Sequence, residues 1–99
     1  SVPVLSVPLV AAALLEAGPN TEQTLRARVD GILRQLALAG VVLRVSPLGV
    51  DATIKEGLAP LVARGILGAD LVPTTRGAPI VKFYAAAVQQ HLARSGAVR

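Results

Sequence analysis

The sequence lacks several residue types that most functional sites require. Its 99 residues contain no cysteine, methionine or tryptophan, and only one histidine. Without cysteine the chain forms neither disulfides nor thiolate metal sites, and zinc would find a single imidazole ligand. Aspartate and glutamate number six and are scattered, so no cluster of oxygen ligands for a hard cation is expected. We therefore predict no metal site and no cofactor.

Aromatic side chains and long apolar runs are also scarce. Aromatics make up 2% of the chain, namely Phe83 and Tyr84, although hydrophobic residues make up 53%. The core therefore depends on Ala, Leu and Val, which bury little area each and require close helix packing. The longest uninterrupted apolar run, Val7 to Leu15, is far shorter than the roughly 18 residues that span a bilayer.

No catalytic constellation is visible in the sequence. The serine and threonine hydroxyls have no base beside them that could activate a nucleophile. His91 has no carboxylate or second histidine at helical spacing, so we expect a half-buried, hydrogen-bonded side chain rather than a proton shuttle. We predict no catalytic residue in this chain, whether or not the chain belongs to an enzyme.

The first half of the chain shows the spacing of two helices. Ser6 can cap a first helix that runs to Ala17 and is apolar on nearly all sides, so it should be buried or docked on a partner. Asn20 can cap the second helix, with Gln23 at the capping-box position and Gly40 after its end. An amphipathic stripe runs along this second helix: Leu25, Val29, Ile32, Leu33 and Leu36.

Two further helices are predicted in the second half. Asp51 can cap the third, which Gly65 ends and which Pro60 should kink or divide. Pro79 should open the last helix at its first position. Apolar residues recur at helical spacing along that helix: Ile80, Phe83, Tyr84, Ala87, Val88, His91 and Leu92. Phe83 and Tyr84 offer the largest area to bury, so we expect both rings in the core.

Two short segments favour β-structure or turns. Val41 to Val45 is a β-branched run that fits a strand or an extended connector. Ile66 to Pro73 resembles a small hairpin, which Pro73 confines to an edge. The sequence thus predicts a mainly α fold: one small four-helix domain over residues 1–99, with a short β-hairpin between the third and last helices.

The charge balance is basic but dispersed. Ten Lys and Arg residues against six Asp and Glu residues give a net charge of +4. Arg64 and Arg76 flank the predicted hairpin, and together with Lys82 they could meet a phosphate or an acidic surface. The simpler interpretation, which we favour, is that they are solvated ends of elements, since Arg64 also suits a helix C-terminus.

The order of these segments resembles a known family. SVPLVAAALLEAG is followed by NTEQTLRARVDGILRQL and then by LAPLVARGILGADLVPTTRGAPIVKFYAAAVQQHL. This order is similar to the C-terminal region of membrane-associated glycerol-3-phosphate acyltransferases, where a helix, an apolar hairpin, a loop and a helix with paired aromatics close the chain. Phe83 and Tyr84 stand where the paired aromatics stand.

The resemblance carries over no catalytic residue. The family's acyltransferase signature is a histidine followed five residues later by an aspartate, whereas Gly96 follows His91 at that distance. The family's helix also carries an asparagine shortly after the aromatics, where this chain has Ala85, Ala86 and Ala87. The resemblance therefore implies a non-catalytic accessory domain, a fragment of a larger chain. It would pack on an upstream acyltransferase domain, peripheral to the cytoplasmic side of a membrane whose surface it could touch.

A winged-helix nucleic-acid-binding module is the alternative. The second and third helices could form a helix-turn-helix, with the segment around Gly68 as a wing. The third helix would then read the bases, yet it contains Gly57 and Pro60, and its only basic groups are Lys55 and Arg64. Reading helices usually offer several Arg, Lys, Asn or Gln side chains, so we do not expect nucleic acid as the partner.

Overall fold

The predicted mainly α fold is confirmed by a computed structural model that describes residues 3–94. In chain order the elements are β1 (Val4–Leu5), α1 (Ser6–Leu14), α2 (Glu22–Leu38), β2 (Leu43–Arg44), α3 (Val50–Ala63) and α4 (Ala78–Arg94). Buried apolar side chains from all four helices meet in one core.

Helix α1 occupies the centre of this core. It packs against α2, α3 and α4, most extensively against α4. All residues of α1 except Val7 and Pro8 are buried, and Ala11 to Ala13 let the neighbouring helices approach closely. The apolar surface that the sequence analysis assigned to burial or an outside partner is thus covered within the chain.

The start and end of α1 differ from the prediction. Leu5 occupies the N-cap position and makes no side-chain capping bond. Ser6 is the first helical residue, and its hydroxyl donates instead to Glu56 Oε1 at 2.6 Å, because α3 brings that carboxylate within reach. The helix stops at Leu14 rather than Ala17.

Helix α2 is capped by the residue after the predicted one. Thr21 accepts from the backbone N–H of Thr24, and the Thr24 hydroxyl reaches back to the Thr21 N–H, which completes a capping box. Asn20 is used elsewhere: its amide donates to the Leu71 carbonyl at 2.9 Å. Gly40 ends the helix as predicted, with φ +72° and the paired hydrogen bonds of a Schellman turn.

Helix α3 runs without a break through Pro60, so of the two predicted outcomes, a kink or a division into two segments, the division does not occur. Pro60 removes one hydrogen bond of the helix, that from its own position to the Glu56 carbonyl, and the helix continues for one further turn. Its N-cap is Gly49 rather than Asp51, which lies in the first turn. Gly65 ends α3 as predicted, at φ +70°, again in a Schellman turn.

The predicted hairpin is present only in minimal form, and the two short strands lie outside it. Strands β1 and β2 form a parallel pair, with Val4 opposite Leu43 and Leu5 opposite Arg44. Strand β2 falls within the predicted run of residues 41–45. Between α3 and α4 the hairpin consists of one antiparallel bridge, Leu67 to Pro73, and within its turn Leu71 adopts a left-handed conformation at φ 64°.

Candidate functional site

The apolar surface of α4 is wider than the part that the core covers. The fully or nearly fully buried side chains are Val81, Ala85, Val88 and Leu92. The predicted stripe shares only the last two of these, so the buried face is rotated about 90° from it, at roughly 100° per residue. The other half of the predicted stripe, which includes Ile80, Phe83 and Tyr84, borders solvent.

Phe83 is therefore outside the core, contrary to the sequence prediction. Its side chain is 77% exposed and that of Ile80 is 41% exposed. The core is instead filled by smaller side chains: α4 packs mainly on α1, in which Ala11 to Ala13 are buried, and the buried residues of α4 include Ala85 and Val88. Tyr84 is half-buried and makes an edge-to-face contact with Phe83, with ring centroids 6.0 Å apart.

Two neighbouring hollows border Ile80 and Tyr84. Phe83 lines neither hollow but lies beside both residues on α4. The first, about 550 Å³, lies between the end of α3 and the start of α4 and is lined by Arg64, Thr75, Arg76 and Ile80 among others. The second, about 400 Å³, is bordered by Tyr84 together with residues from β1 and α3. Arg64 borders both hollows, so they form one continuous surface. We call this surface the α3–α4 face and define it by Leu5, Pro60, Arg64, Arg76, Ile80, Phe83 and Tyr84.

The loop between α3 and α4 is held in place by Thr74. Its hydroxyl donates to the Gly65 carbonyl at 3.1 Å and accepts from the Gly77 N–H at 2.9 Å. Gly77 lies against the backbone of Ile66, where a Cβ atom would be only 2.0 Å from the Ile66 oxygen. These contacts fix where Arg64 and Arg76 emerge at the two ends of the loop.

The first turn of α4 offers few free backbone donors to a ligand. The Ala78 N–H donates to the Thr74 carbonyl at 2.8 Å, and the Gly77 N–H is bonded to the Thr74 hydroxyl. Pro79 has no N–H. The α3–α4 face therefore presents side chains, principally guanidinium groups and apolar surface, rather than a backbone cradle for a phosphate.

Of the six residues singled out from the sequence, four lie on the α3–α4 face: Arg64, Arg76, Phe83 and Tyr84. His91 follows Tyr84 by seven residues on the same side of α4, about 10 Å along the axis. It is half-buried as predicted, but its imidazole makes no hydrogen bond to the residues that the structure describes. Lys82 is exposed and points away from Ile80, about 200° around the helix.

Sequence reasoning missed two residues of this face, Leu5 and Pro60. Leu5 is 51% exposed and lies on β1, next to α3 in space but more than fifty residues away in sequence. No local pattern could have placed it beside Tyr84. Pro60 was considered only for its effect on the helix backbone, not for the ring that it presents at the surface.

A third, larger hollow has a different character. It measures about 630 Å³ and lies between α2, β2 and the start of α3. Apolar side chains such as Leu33 and Val45 line it, and its two charged residues, Asp30 and Arg34, have opposite signs. It has neither an exposed aromatic ring nor an excess of one charge, so it makes a weaker candidate than the α3–α4 face.

Within residues 3–94 no group of three His, Asp or Glu side chains could hold a metal ion. None of the described helices combines the length and apolar character that crossing a membrane requires. On α3 the exposed charged residues Asp51 and Glu56 accompany Lys55, and this mixed charge does not suit a helix that reads nucleic acid.

Comparison of the chain with models of known protein families, with curated proteins and with solved structures finds no match.

Proposed function

We propose that this chain is a non-catalytic accessory domain of a glycerol-3-phosphate acyltransferase, an enzyme of phospholipid biosynthesis. In this proposal it packs on an upstream acyltransferase domain and supports it, on the cytoplasmic side and peripheral to the membrane. The support from sequence is the order of segments described above and the paired aromatics Phe83 and Tyr84.

The observation that carries the proposal is the exposure of Phe83. The chain has one phenylalanine, and it leaves 77% of that side chain outside a core built from Leu, Val, Ile and Ala. Complete burial of such a ring is worth about 1.5–3 kcal/mol, which the isolated domain forgoes. A partner that covers Phe83 together with Ile80 would recover this free energy.

The burial of α1 within the chain bears on how such an accessory domain would dock. Since α1 is enclosed by α2, α3 and α4, the domain needs no partner to complete its core. Docking would then use a surface patch, as interfaces between domains of one chain commonly do.

The proposal is tested by joining the chain to an acyltransferase domain that carries the His–Asp signature. The melting temperature of each unit is measured alone and joined. If the effective concentration of the joined partner is a hundred times the dissociation constant of the interface, docking adds about 2.7 kcal/mol to the free energy of unfolding. Each kcal/mol raises the melting temperature of a domain of this size by roughly 4–8 °C. The joined protein, but not the 99-residue chain, should transfer acyl groups to glycerol 3-phosphate.

Two results would contradict this assignment. In the first, the joined protein melts in two transitions at the temperatures of the separate units. In the second, the purified chain turns over glycerol 3-phosphate by itself.

A further inference from the structure

We infer that the α3–α4 face is the docking surface of this domain, and that its partner is a protein surface whose carboxylates surround an apolar hollow that receives Phe83. The inference rests on the proposed function and adds to it the face and the chemistry of the partner.

The arginines of this face outnumber the carboxylates near it, three to one across the two hollows. Arg64 and Arg76 line one cleft, and no carboxylate is among the residues that line it. The nearby second hollow adds Arg44 and one carboxylate, Glu56, which already accepts the Ser6 hydroxyl at 2.6 Å. Neither Arg64 nor Arg76 makes a side-chain hydrogen bond or ion pair with the described residues.

Two other arginines of the chain provide the contrast. Arg26 pairs with Asp51 at 2.7 Å. Arg28 donates to three backbone carbonyls and to Asn20. The arginines with internal partners are thus on α2, whereas those of the α3–α4 face remain available to another molecule. Guanidinium groups bind carboxylates in paired, planar hydrogen bonds, which makes a carboxylate the fitting complement.

The apolar part of the face suits the centre of a protein interface. Phe83 and Tyr84 contact each other edge to face, and Ile80 lies one turn before Phe83 on the exposed side. Aromatic residues and arginine are enriched at interface centres, and a few such residues carry most of the binding free energy. Ile80 borders the same cleft as Arg64 and Arg76, and Tyr84 borders the neighbouring hollow that Arg64 also lines.

Other occupants fit this face less well. Electrostatic binding to anionic lipid typically uses clusters of four to eight Lys and Arg residues, whereas this face has two arginines and a third at its edge. Two copies of the chain docked through this face would bring Arg64 and Arg76 towards their own copies, and like charges at an interface are repulsive. A free phosphate would lack the backbone amides of α4, which Thr74 occupies.

The test measures binding of the chain to a separately purified acyltransferase domain that carries the His–Asp signature. We expect Phe83→Ala to weaken binding about 30-fold, the effect of removing a central aromatic residue. Arg64→Glu with Arg76→Glu should weaken it at least as much and should reduce the dependence of the association rate on salt. Phe83→Ala should keep the wild-type melting temperature, because Phe83 is mostly exposed. The double charge reversal should change it by only a few degrees, because Arg64→Glu is unfavourable at the C-terminus of α3 whereas Arg76→Glu is favourable close to the start of α4.

Matched controls come from α2. Leu38 is 90% exposed and Arg34 is exposed, and neither lies on the α3–α4 face. Leu38→Ala removes an exposed apolar side chain, and Arg34→Glu reverses an exposed charge. Each should change the dissociation constant less than twofold.

The outcomes separate this inference from the proposed function. If the wild-type chain binds and the Phe83 and arginine variants bind equally well, the face is wrong and the proposed function stands. If the wild-type chain does not bind, both are wrong. Binding of the chain to phosphatidylglycerol vesicles and its self-association in sedimentation are measured with the same variants. If the variants abolish either of these while they bind the acyltransferase domain as well as the wild type does, the face belongs to a membrane or to a second copy, and the inference is overturned.

Discussion

The seam between α1 and α3 depends on Gly57, and Gly57→Ala tests it. A Cβ atom at this position would lie 2.5 Å from Val10 Cγ2 and 2.7 Å from the Ser6 carbonyl oxygen. Ordinary contacts between carbon atoms are about 3.5–4.0 Å, so α1 and α3 would have to separate by roughly 1 Å. Val10 is fully buried and cannot swing aside into solvent, and the Ser6 oxygen belongs to the backbone of α1.

Two opposing terms set the size of the effect. Replacing glycine by alanine inside a helix favours folding by about 1 kcal/mol. Overpacking typically costs about 1–3 kcal/mol, and the upper end applies here because one of the clashing atoms is backbone. The net loss is therefore about 2 kcal/mol. At roughly 4–8 °C per kcal/mol, the melting temperature should fall by about 8–16 °C.

Gly31 supplies the matched control. It is also a glycine inside a helix, α2, but a Cβ there would meet no heavy atom within 4 Å. Gly31→Ala should therefore show only the higher helix propensity of alanine, and it should raise the free energy of unfolding by about 0.5–1 kcal/mol. Urea and thermal unfolding followed by far-ultraviolet circular dichroism measure both variants. A Gly57→Ala protein as stable as the wild type would refute the close packing of α1 on α3.

Two further substitutions test the hydrogen bonds at the start of α2 and at the end of α1. Thr21→Ala removes the capping box of α2 and should lower the free energy of unfolding by about 1 kcal/mol in urea titrations, whereas Thr21→Ser should retain most of it. Arg28→Lys should lower the free energy of unfolding by about 2 kcal/mol, because hydrogen bonds from charged groups are worth roughly 1.5–3 kcal/mol. One ammonium group cannot replace a guanidinium that reaches the carbonyls of Ala13, Ala17 and Pro19. Equal stability of Arg28→Lys and wild type would show that these bonds contribute nothing.

Helix ends marked by glycine were predictable from the sequence, whereas several caps were not. Gly40 and Gly65 follow periodic apolar stretches and adopt the left-handed conformation that this position favours. Asn20 was the reasonable cap by residue type alone. Its amide is instead bonded to the Leu71 carbonyl, 51 residues away, and no local pattern reveals such a competing partner.

The candidate site was visible in the sequence only as residue types. Arg64, Arg76, Phe83 and Tyr84 could be named, but their common surface depends on how the loop between α3 and α4 folds back through Thr74. Periodicity also gave α4 too broad an apolar stripe. Choosing the side that buries the largest rings placed Phe83 inside, whereas the side of α4 that is buried carries Val81, Ala85, Val88 and Leu92.

The central position of α1 changes where a partner could act. A helix that is apolar all round would, by itself, suggest a domain that is incomplete without its neighbour. Here α2, α3 and α4 already enclose it. The surface available for recognition is therefore the exposed apolar side of α4, where Ile80 lies beside Arg64 and Arg76. Such a surface contributes little to folding, because Phe83 is mostly exposed in the isolated domain. Substitutions there should therefore separate binding from stability, whereas substitutions in the α1 seams, such as Gly57→Ala, should change stability first.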